Sequence, residues 1–533
     1  MGSTKRACDR GSLEGKKSLA ERLCYNACSK RLAVEIPMTE YLVTIGLEVH
    51  AHIKTASKMF DGCAADYAGS APNSRVSVVS LGLPGALPVV NRKAVELAAR
   101  TGLALHCTVN ERSVFSRKSY PYPDLVKGYQ ISQYDEPLCS DGWVELRMPE
   151  GSTRRIGIER LHIEEDTGRL VHGADGASLI DYNRSGIPLM EIVSRPEIAT
   201  PEEARLYFEK IRQLLLWIGV NSGNLEEGAL RCDANVSVRP EGQAAFGAKV
   251  EIKNINSFRF VERALAYEIQ RQTKLLAAGG EIAQETRGWD ELRGETVGQR
   301  SKEAAHDYRY FSEPDIPPLV FDQRWIAERR AELPELPDAC RARFEAAYGL
   351  SGQDAELLTL ERPVADYFEA AVAASAQVGT PKEVANWVLN EGFRLLKERG
   401  EPAAALERRM PVGHVAGLIA LVARGTINRG VAKQLFEESF DSGADPAGLV
   451  VERGLTQISD GDALSVVARE VIAANPKVVA EYRGGKATAI QFLVGQMMRA
   501  TKGQANPQVA RALLEAELGG DRETRRQGDR ETD

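Results

Sequence analysis

The clearest strand pattern of the chain is RCDANVSVR (residues 231–239), followed by AKVEIKN (residues 248–254). Polar and apolar residues alternate in both segments, so that Arg231, Asp233 and Lys253 fall on the polar side. A period of two residues is that of a β-strand, in which successive side chains point to opposite faces. The pattern therefore predicts an antiparallel hairpin with one packed face and one face open to solvent.

The segments on either side of this hairpin differ in character. Before it, strand patterns cover residues 41–50, 156–166 and 189–193, and an amphipathic helix is predicted over 92–105. After the hairpin, Asn256 or Ser257 is expected to cap a helix. Beyond about residue 330 the strand patterns nearly vanish, and helical patterns rich in Ala and Leu replace them. We therefore predict an α+β fold.

These patterns divide the chain into segments. Residues 1–37 hold eight Lys and Arg and four acids but no apolar core, so they are no secretory signal, and we expect an extension before a folded chain that begins at Met38. The predicted domains are an α+β domain with a mixed or antiparallel sheet (38–330), a helical domain (331–450) and a small helical tail domain (451–518). The charged residues 519–533 are predicted to be disordered.

Length and composition bound the class of protein. The chain has 533 residues, with 68 Lys and Arg against 75 Asp and Glu, which gives a net charge of −7. No apolar stretch reaches the length of about 18 residues that a membrane span requires, so a membrane protein is excluded. Eight scattered cysteines do not form the disulfide framework of a small secreted protein. We expect a soluble multidomain protein of the cytoplasm.

Acidic residues stand in strands that are otherwise apolar. They are Glu48 in IGLEVH, Glu165 in LHIEED and Glu191 in PLMEIV, and the two-residue spacing places His50 on the same face as Glu48. A buried carboxylate is costly unless it is paired, protonated or bound to a metal. If these residues converge, they form a mostly oxygen-ligand site for a hard cation such as Mg²⁺. For each acid alone, a structural ion pair is the alternative.

Motifs for zinc and for common nucleotide-binding loops are missing. Cys63 has no second cysteine nearby in the sequence, so a structural zinc site is not expected. The Gly485-Lys486 pair is followed by Ala487 and no glycine-rich loop precedes it, which excludes a Walker A motif. If the protein binds ATP, its phosphates must be held in another way.

A basic stretch lies near the C-terminus. Residues 482–511 contain Lys and Arg but no acid, which is unusual in an acidic protein. A local excess of positive charge favours contact with the phosphate backbone of a nucleic acid, and a solvated basic face is the alternative. The candidate residues for nucleic-acid binding are Arg483, Lys486, Arg499 and Lys502.

Several further segments carry a resemblance to a known family. They are KGYQISQYD (127–135), IDYNRSGIPLMEIV (180–193), EIKNINSF (251–258), DYRYF (307–311) and FLVGQMMRATKGQANP (492–507). Together they resemble the B subunit of the tRNA-dependent amidotransferase, the GatCAB complex, from about Tyr41 to Leu518. The resemblance implies an α+β cradle that holds a kinase site, then a helical domain, and then a helical tail that contacts tRNA.

The resemblance also implies an activity and partners. Proteins of this family use ATP and Mg²⁺ to phosphorylate the side-chain carboxylate of Glu-tRNA(Gln) or Asp-tRNA(Asn). Ammonia, released from glutamine by the A subunit, then displaces the phosphate and gives Gln-tRNA(Gln) or Asn-tRNA(Asn) for translation. A small C subunit ties A and B together. The chain is thus expected to act in a heterotrimer as a carbon–nitrogen ligase with glutamine as amido donor.

The resemblance implies site residues as well. The ligands of Mg²⁺, which are also the catalytic residues, would be Glu48, His50, Glu165 and Glu191. Lys118 is a further catalytic candidate, and contact with substrate or phosphate is expected from Lys253, Arg231 and Asp233. Many relatives carry zinc-binding cysteines where this chain has Asp61, Cys63, Ser77 and Ser80, so a zinc-free member is expected.

Two other functions compete with this hypothesis. One is the archaeal E-type amidotransferase, which carries an inserted domain after the region of DYRYF (307–311); here that segment leads through Pro314 and Pro317 directly into helices. The other is a catalytically silent protein that binds tRNA or acts as a scaffold. The presence of the full predicted ligand set argues against a silent protein.

Overall fold

Strands form most of the first part of the chain and helices the remainder. The computed structural model describes residues 41–173, 176–301, 308–455, 461–501 and 505–528. Its strands are β1 (Tyr41–His52), β2 (Thr108–Val109), β3 (Arg112–Ser113), β4 (Ser116–Ser119), β5 (Tyr129–Ser132), β6 (Cys139–Arg147), β7 (Thr153–Glu165), β8 (Arg169–His172), β9 (Ser178–Asp181), β10 (Pro188–Ser194), β11 (Leu230–Pro240), β12 (Val250–Ile255), β13 (Glu285–Asp290), β14 (Glu295–Ser301), β15 (Phe311–Ser312) and β16 (Leu319–Val320).

The helices confirm the predicted change of character along the chain. They are α1 (Arg92–Ala104), α2 (Pro201–Trp217), α3 (Phe258–Ala277), α4 (Gln323–Ala331), α5 (Pro337–Tyr348), α6 (Gly352–Leu358), α7 (Arg362–Ser375), α8 (Pro381–Asn386), α9 (Phe393–Arg399), α10 (Leu406–Arg409), α11 (Val412–Ala423), α12 (Arg429–Ser442), α13 (Pro446–Arg453), α14 (Gly461–Ala474), α15 (Pro476–Arg483), α16 (Ala489–Ala500) and α17 (Pro507–Gly528). A π-helical turn, Trp387–Gly392, separates α8 from α9. The α+β fold class is confirmed.

Contacts within the chain divide the described residues into two units. The smaller one, here called the hairpin unit, holds residues 41–48, 194–205 and 232–301. The other, here called the large unit, holds residues 49–193, 206–231 and the described residues from 308 to 528. Each unit combines segments that are distant in sequence, because strand pairing joins remote parts of a chain. The domain boundaries expected near residues 330 and 450 stay predictions.

The predicted hairpin forms the centre of the hairpin unit. β11 and β12 pair antiparallel, with Ala234 opposite Ile252 and Val236 opposite Val250. β13 joins β12 in parallel, so the sheet is mixed, and the strand order in this unit is β14-β13-β12-β11-β1. Ser257, one of the two predicted capping residues, accepts a hydrogen bond at the start of α3. The strand pattern and the helix that follows it are therefore confirmed.

The polar face of β11 is buried in its middle, which corrects the expectation that the whole face lies open to solvent. Asn235 and Ser237 on this face are 8% and 7% exposed. Nδ2 of Asn235 donates a hydrogen bond to Oε1 of Glu48 at 2.8 Å. Alternation shows which residues share a face, but polar side chains of a neighbouring strand can bury that face by satisfying its hydrogen bonds.

Two strands at the centre of the large unit are buried on both faces. The strand order there is β10-β7-β6-β2, and all of β10 and the last residues of β7 are buried. A polar side chain in such a strand has no water to solvate it and needs a partner inside the protein. This arrangement brings His162, Glu164, Glu165 and Glu191 into the interior.

The C-terminal helices of the large unit pack around a small apolar core of their own. Its buried residues are Leu464, Ala468, Val471, Val479, Ile490, Leu493, Met497, Ala505, Ala510, Leu514 and Leu518. α17 continues to Gly528, and the expected disorder of residues 519–533 stays a prediction.

Two other expectations concern the ends of the chain and membrane-spanning segments. Among the described residues, the helices are too short or too polar to span a bilayer. The expected N-terminal extension, residues 1–37, lies outside the described residues, as do residues 529–533.

The C-terminal core predicts a contrast between two neighbouring residues. Leu493 is fully buried and Phe492 is 48% exposed. Leu493→Ala should lower the free energy of unfolding of this helical region by about 2–5 kcal/mol, because it leaves a cavity. Phe492→Ala should change it by about 0.5 kcal/mol or less. Hydrogen exchange of the amides in α14, α16 and α17 measures both; equal protection in the two variants would contradict the packing described here.

Candidate metal centre

Side chains from three strands meet at one place in the large unit. His50 from β1, Glu164 from β7 and Glu191 from β10 each offer one ligand atom, and these atoms lie within 4.8 Å of one another. Within the described residues, neither carboxylate forms an ion pair with a Lys or Arg. Two buried carboxylates at this distance repel each other, and a bound cation removes that cost. The donor set therefore fits a divalent metal ion.

Two imidazoles flank Glu191. Nε2 of His50 and Nε2 of His162 each lie 3.4 Å from Oε2 of Glu191, and His162 also lies 4.0 Å from Oε2 of Glu164. Burial alone would raise the pKa of the Glu191 carboxyl, but the two imidazoles outweigh burial and hold this pKa well below its usual range. Glu191 therefore remains ionised. Nδ1 of His162 is buried and has no hydrogen-bond partner among the described residues.

The structure brings His50 and Glu191 together in the large unit, whereas Glu165 of the same unit has other partners. Glu165 forms an ion pair with Lys127 and accepts a hydrogen bond from the Ile131 amide at 3.1 Å. Glu48 belongs to the hairpin unit, where Asn235 donates to its carboxylate. Adjacent residues of a strand point to opposite faces, so only one member of the pair Glu164–Glu165 can face His50.

Glu164 and His162 are the residues that sequence reasoning missed. The signal for them was present, because their two-residue spacing is the same one that groups Glu48 with His50. In the sequence, Glu165 alternates with Leu161 and Ile163, and this pattern favours Glu165 for the buried face. Since both faces of β7 are buried at this end, that criterion does not distinguish Glu164 from Glu165.

Lys118 lies beside the metal centre without a partner of its own among the described residues. It belongs to β4, which pairs with β5, and Ser132 of β5 donates to Oε2 of Glu164 at 3.1 Å. Burial lowers the pKa of Lys118, but the nearby Glu164 and Glu191 carboxylates raise it overall. Its ammonium group forms no hydrogen bond or ion pair with the described residues and lies 5.0 Å from the ring centroid of Tyr308. Lys118 is therefore a charged group available to an anion.

Asp166, another buried carboxylate of the large unit, is surrounded by several positive groups. Both oxygens of Asp166 accept hydrogen bonds from Arg231, at 3.0 and 3.1 Å, and Nε2 of His52 lies 2.6 Å away. Nε of Arg184 follows at 3.6 Å. Burial would raise the pKa of Asp166, but Arg231 and Arg184 hold it well below its usual range. Arg231, predicted to contact substrate, is thus held by Asp166.

Lys253 and Asp233, the other candidates on the hairpin, bind each other. Nζ of Lys253 lies 3.3 Å from Oδ2 of Asp233 and 3.5 Å from Oε1 of Glu251. Burial lowers the pKa of Lys253, but these carboxylates raise it overall. Any contact of Lys253 with phosphate would have to compete with two carboxylates that are already in place.

The positions where the family resemblance placed zinc ligands form a hydrogen-bonded network. Oδ2 of Asp61 accepts hydrogen bonds from the hydroxyls of Ser77 and Ser80, each at 2.7 Å. Oδ1 of the same carboxylate accepts from the amide of Cys63, also at 2.7 Å. The expectation that no zinc is bound stays a prediction.

The candidate nucleic-acid residues lie near the C-terminal helices. Arg483 ends α15, Lys486 follows it, and Arg499 lies in the last turn of α16. Lys486 and Arg499 are exposed, although Nζ of Lys486 lies 2.8 Å from a carboxylate oxygen of Glu481. Lys502 lies outside the described residues. Their role in binding nucleic acid stays a prediction.

Two family models match this chain. Residues 43–327, which contain the metal centre, match the family described as the GatB/GatE catalytic domain. Residues 366–518 match the family described as the GatB domain. The protein is thus of the class that joins a GatB/GatE catalytic domain to a helical C-terminal domain.

Individual relatives define the family more narrowly. The chain is 62% identical over 480 residues to the B subunit of the aspartyl/glutamyl-tRNA(Asn/Gln) amidotransferase of Roseiflexus sp. (strain RS-1), a match that covers 90% of this chain and 98% of the relative. The corresponding B subunits of Herpetosiphon aurantiacus and Carboxydothermus hydrogenoformans are 59% and 52% identical, each over 90% of this chain and 99% of their own. The chain belongs to the family of B subunits of aspartyl/glutamyl-tRNA(Asn/Gln) amidotransferases, as the resemblance implied.

The geometry of the metal centre predicts which of two adjacent acids holds the cation. Glu164→Gln should weaken binding of Mn²⁺, used as a probe, by about tenfold or more, because it removes a ligand. Glu165→Gln, its matched control, should bind Mn²⁺ as the wild type does, because Glu165 faces Lys127. Isothermal titration and the electron paramagnetic resonance of Mn²⁺ measure both. The opposite pattern would show that Glu165, and not Glu164, is the ligand.

The Asp166 cluster predicts a loss of stability that depends on pH. Asp166→Asn leaves Arg231 and Arg184 without their counter-charge and should lower the free energy of unfolding by about 3 kcal/mol at pH 7. The pKa of Asp166 is depressed in the folded state, so its contribution is fully present above the unfolded pKa of about 3.9 and is lost progressively as the pH falls from there through the folded pKa. The difference from wild type should therefore shrink below about pH 4.

Urea unfolding at pH 7 and at pH 3 measures this difference. The control is Asp366→Asn, whose carboxylate is exposed and pairs with Arg362 on the same helix. It should change stability by about 0.5 kcal/mol or less at either pH. An Asp166→Asn loss that is equal at both values of pH would contradict the role given to its charge.

Proposed function

We propose that the chain is the B subunit of a tRNA-dependent amidotransferase that phosphorylates the side-chain carboxylate of Glu-tRNA(Gln), Asp-tRNA(Asn) or both with ATP. The acyl phosphate then reacts with ammonia to give Gln-tRNA(Gln) or Asn-tRNA(Asn). The observation that carries this proposal is the cluster of His50, Glu164 and Glu191 with Lys118 beside it. It lies in the part of the chain that matches a catalytic domain.

The first step has an electrostatic difficulty that these residues can overcome. A carboxylate oxygen of the substrate attacks the γ-phosphorus of ATP, the bond to the β-phosphate oxygen breaks, and ADP leaves. Both reactants are anions, so positive charge must be placed between them before they approach. Lys118 is a charged group without a described partner, and it is positioned to bind a phosphate oxygen. Its β4 backbone holds it in a sheet, which limits the freedom lost on binding.

The proposed cofactor is Mg²⁺. His50, Glu164 and Glu191 would hold it, and His162 borders the same carboxylate of Glu191. When bound, the ion supplies positive charge that neutralises phosphate oxygens and orients them. The depressed pKa of Glu191 keeps that carboxylate in the form that binds a cation. Burial of the ligands excludes water, which would otherwise hydrolyse an acyl phosphate.

The second step needs a source of ammonia. Its nitrogen attacks the acyl carbon, inorganic phosphate leaves, and one proton is released from nitrogen. We propose that a glutaminase partner, the A subunit, supplies ammonia from glutamine and that a C subunit completes the heterotrimer. The relatives are named as B subunits, which supports a complex. The reaction would make this chain part of a carbon–nitrogen ligase that serves protein synthesis.

The cytoplasm is the proposed compartment. All cysteines in the described part of the chain, Cys63, Cys107, Cys139, Cys232 and Cys340, are free thiols. Free thiols are typical of a reducing compartment, and aminoacyl-tRNA is used there by the ribosome.

The test uses the chain purified together with its A and C partners. The wild-type complex should convert Glu-tRNA(Gln) or Asp-tRNA(Asn) to the amide when ATP and glutamine are present. Glu191→Ala should retain glutamine hydrolysis but lose tRNA-dependent ADP formation by about 100-fold or more, because the charge that binds the cation is removed. The control Glu361→Gln changes an exposed acid at the N-terminus of α7 and should leave both rates unchanged.

Three outcomes are distinguishable. Loss of ADP formation in Glu191→Ala alone supports the site. Equal amide formation in wild type and variant would make Glu191 a structural acid. A wild-type complex that binds tRNA but forms no amide with either substrate would replace the proposal with a tRNA-binding scaffold.

A further inference from the structure

Four tyrosines form a cluster of aromatic rings in the large unit, and one of them, Tyr308, lies 5.0 Å from the ammonium group of Lys118. We call Tyr120, Tyr134, Tyr308 and Tyr310 the tyrosine platform. Tyr134 and Tyr310 stack face to face, with ring centroids 4.3 Å apart and 9° between the ring planes. Tyr308 meets Tyr310 and Tyr120 edge to face, at 6.0 and 5.9 Å. The sequence signal for half of this group is DYRYF (307–311).

The platform is open to solvent at Tyr134. This residue is 42% exposed, although Tyr310 covers one face of its ring. Parallel aromatic rings are extended readily by a third flat ring, which buries further apolar surface. The exposed part of the stack therefore has the form of a surface on which a nucleic-acid base can stack.

Arg309, a positively charged residue, stands between Tyr308 and Tyr310 in the sequence. Arg309 has φ of 54°, in the left-handed region that residues other than glycine seldom adopt. Such backbone strain is retained where the surrounding structure requires that geometry, often at binding sites. Arg309 is exposed, and within the described residues its guanidinium has no hydrogen bond or ion pair. The platform thus carries a guanidinium group that can contact a phosphate.

The platform lies next to the metal centre. Tyr134 is two residues from Ser132, whose hydroxyl donates to Glu164. Burial raises the pKa of Tyr310 to about 12, with Lys118 opposing the shift and the Glu164 and Glu191 carboxylates adding to it. A group that is stacked on Tyr134 is therefore close to the place where the proposed reaction occurs.

We propose that the tyrosine platform binds the unpaired 3′-terminal nucleotide of the substrate tRNA, with its base stacked on Tyr134 and a backbone phosphate on Arg309. This inference rests on the proposed function and adds the site that presents the aminoacyl ester to the metal centre. Single-stranded RNA ends are bound in this way, by stacking on aromatic rings combined with Arg contacts to the backbone.

The adenine ring of ATP is the competing occupant of the platform. An ATP molecule directs its phosphates to the metal centre and Lys118, which would leave the exposed Arg309 without an anion. A tRNA continues away from its last nucleotide through further phosphates, and one of these can satisfy Arg309. The charge at the edge of the platform therefore favours RNA.

The test measures how tightly tRNA binds to the complex of this chain with its A and C partners. ATP is left out, so that no reaction takes place. Its two probes are a deacylated tRNA(Gln) that ends in CCA and the same tRNA without its terminal adenosine. Tyr134→Ala should weaken binding of the complete tRNA by about tenfold and leave the shortened tRNA unchanged, so that the two bind alike. Tyr134→Phe keeps the ring and should bind both as the wild type does.

A matched control and a second ligand make the result decisive. Phe246→Ala removes another exposed aromatic ring, which stacks against Arg239 in the hairpin unit, and should change neither affinity. A non-hydrolysable ATP analogue should bind Tyr134→Ala and wild type equally. If Tyr134→Ala weakens binding of the analogue but not of the tRNA, the platform binds ATP and the proposal is overturned. If Tyr134→Ala changes the affinity for neither ligand, the proposal is overturned as well. Since the assay needs no amide formation, failure of the proposed function is detected separately.

Discussion

Two carboxylates, Glu164 and Glu191, are held close together in the interior of the large unit, where water cannot solvate them. Their ionised forms are stable there only because other groups compensate for the lost hydration and for the repulsion between the two charges. Two imidazoles, His50 and His162, contact Glu191, the Ser132 hydroxyl donates to Glu164, and Lys118 adds a positive charge nearby. A cation between the carboxylates would complete this compensation. The strands β7 and β10 keep both side chains in place because their pairing fixes the backbone on which they are carried.

Buried positive charges also need partners of opposite sign. Lys and Arg residues that already have a carboxylate partner in the fold therefore differ from those that are available to a ligand. Arg231 is bound by Asp166, and Lys253 is bound by Asp233 and Glu251, so the folded protein already uses their charge. Lys118 has no such partner in the described part of the chain. The difference is set by distance to a carboxylate, which the residue type alone does not reveal. This difference is the reason that Lys118, and not Arg231 or Lys253, is the residue proposed to bind a phosphate beside the candidate metal centre.

Much of the fold and part of the candidate site could be predicted from the sequence. Alternation located β1, β7, β10 and the β11–β12 hairpin, and short family segments indicated the family that the comparisons confirm. Alternation also grouped Glu48 with His50, but it could not show that Glu165 binds Lys127 while its neighbour Glu164 faces the cluster. That choice depends on which face of a doubly buried strand meets the other strands, and no pattern within one strand contains this information.

The α+β class, the order of strands before helices and the family could be read from the sequence, because periodicity and motifs are properties of contiguous residues. Tertiary structure alone decided the membership of the metal centre, the pairing of Arg231 and Lys253, and the stacking of Tyr134 on Tyr310. These contacts join residues far apart in the chain, at 3.0 Å and 3.3 Å for the ion pairs with Asp166 and Asp233. Direct ion pairs and stacked rings require such short distances that their partners are set only once the strands have paired.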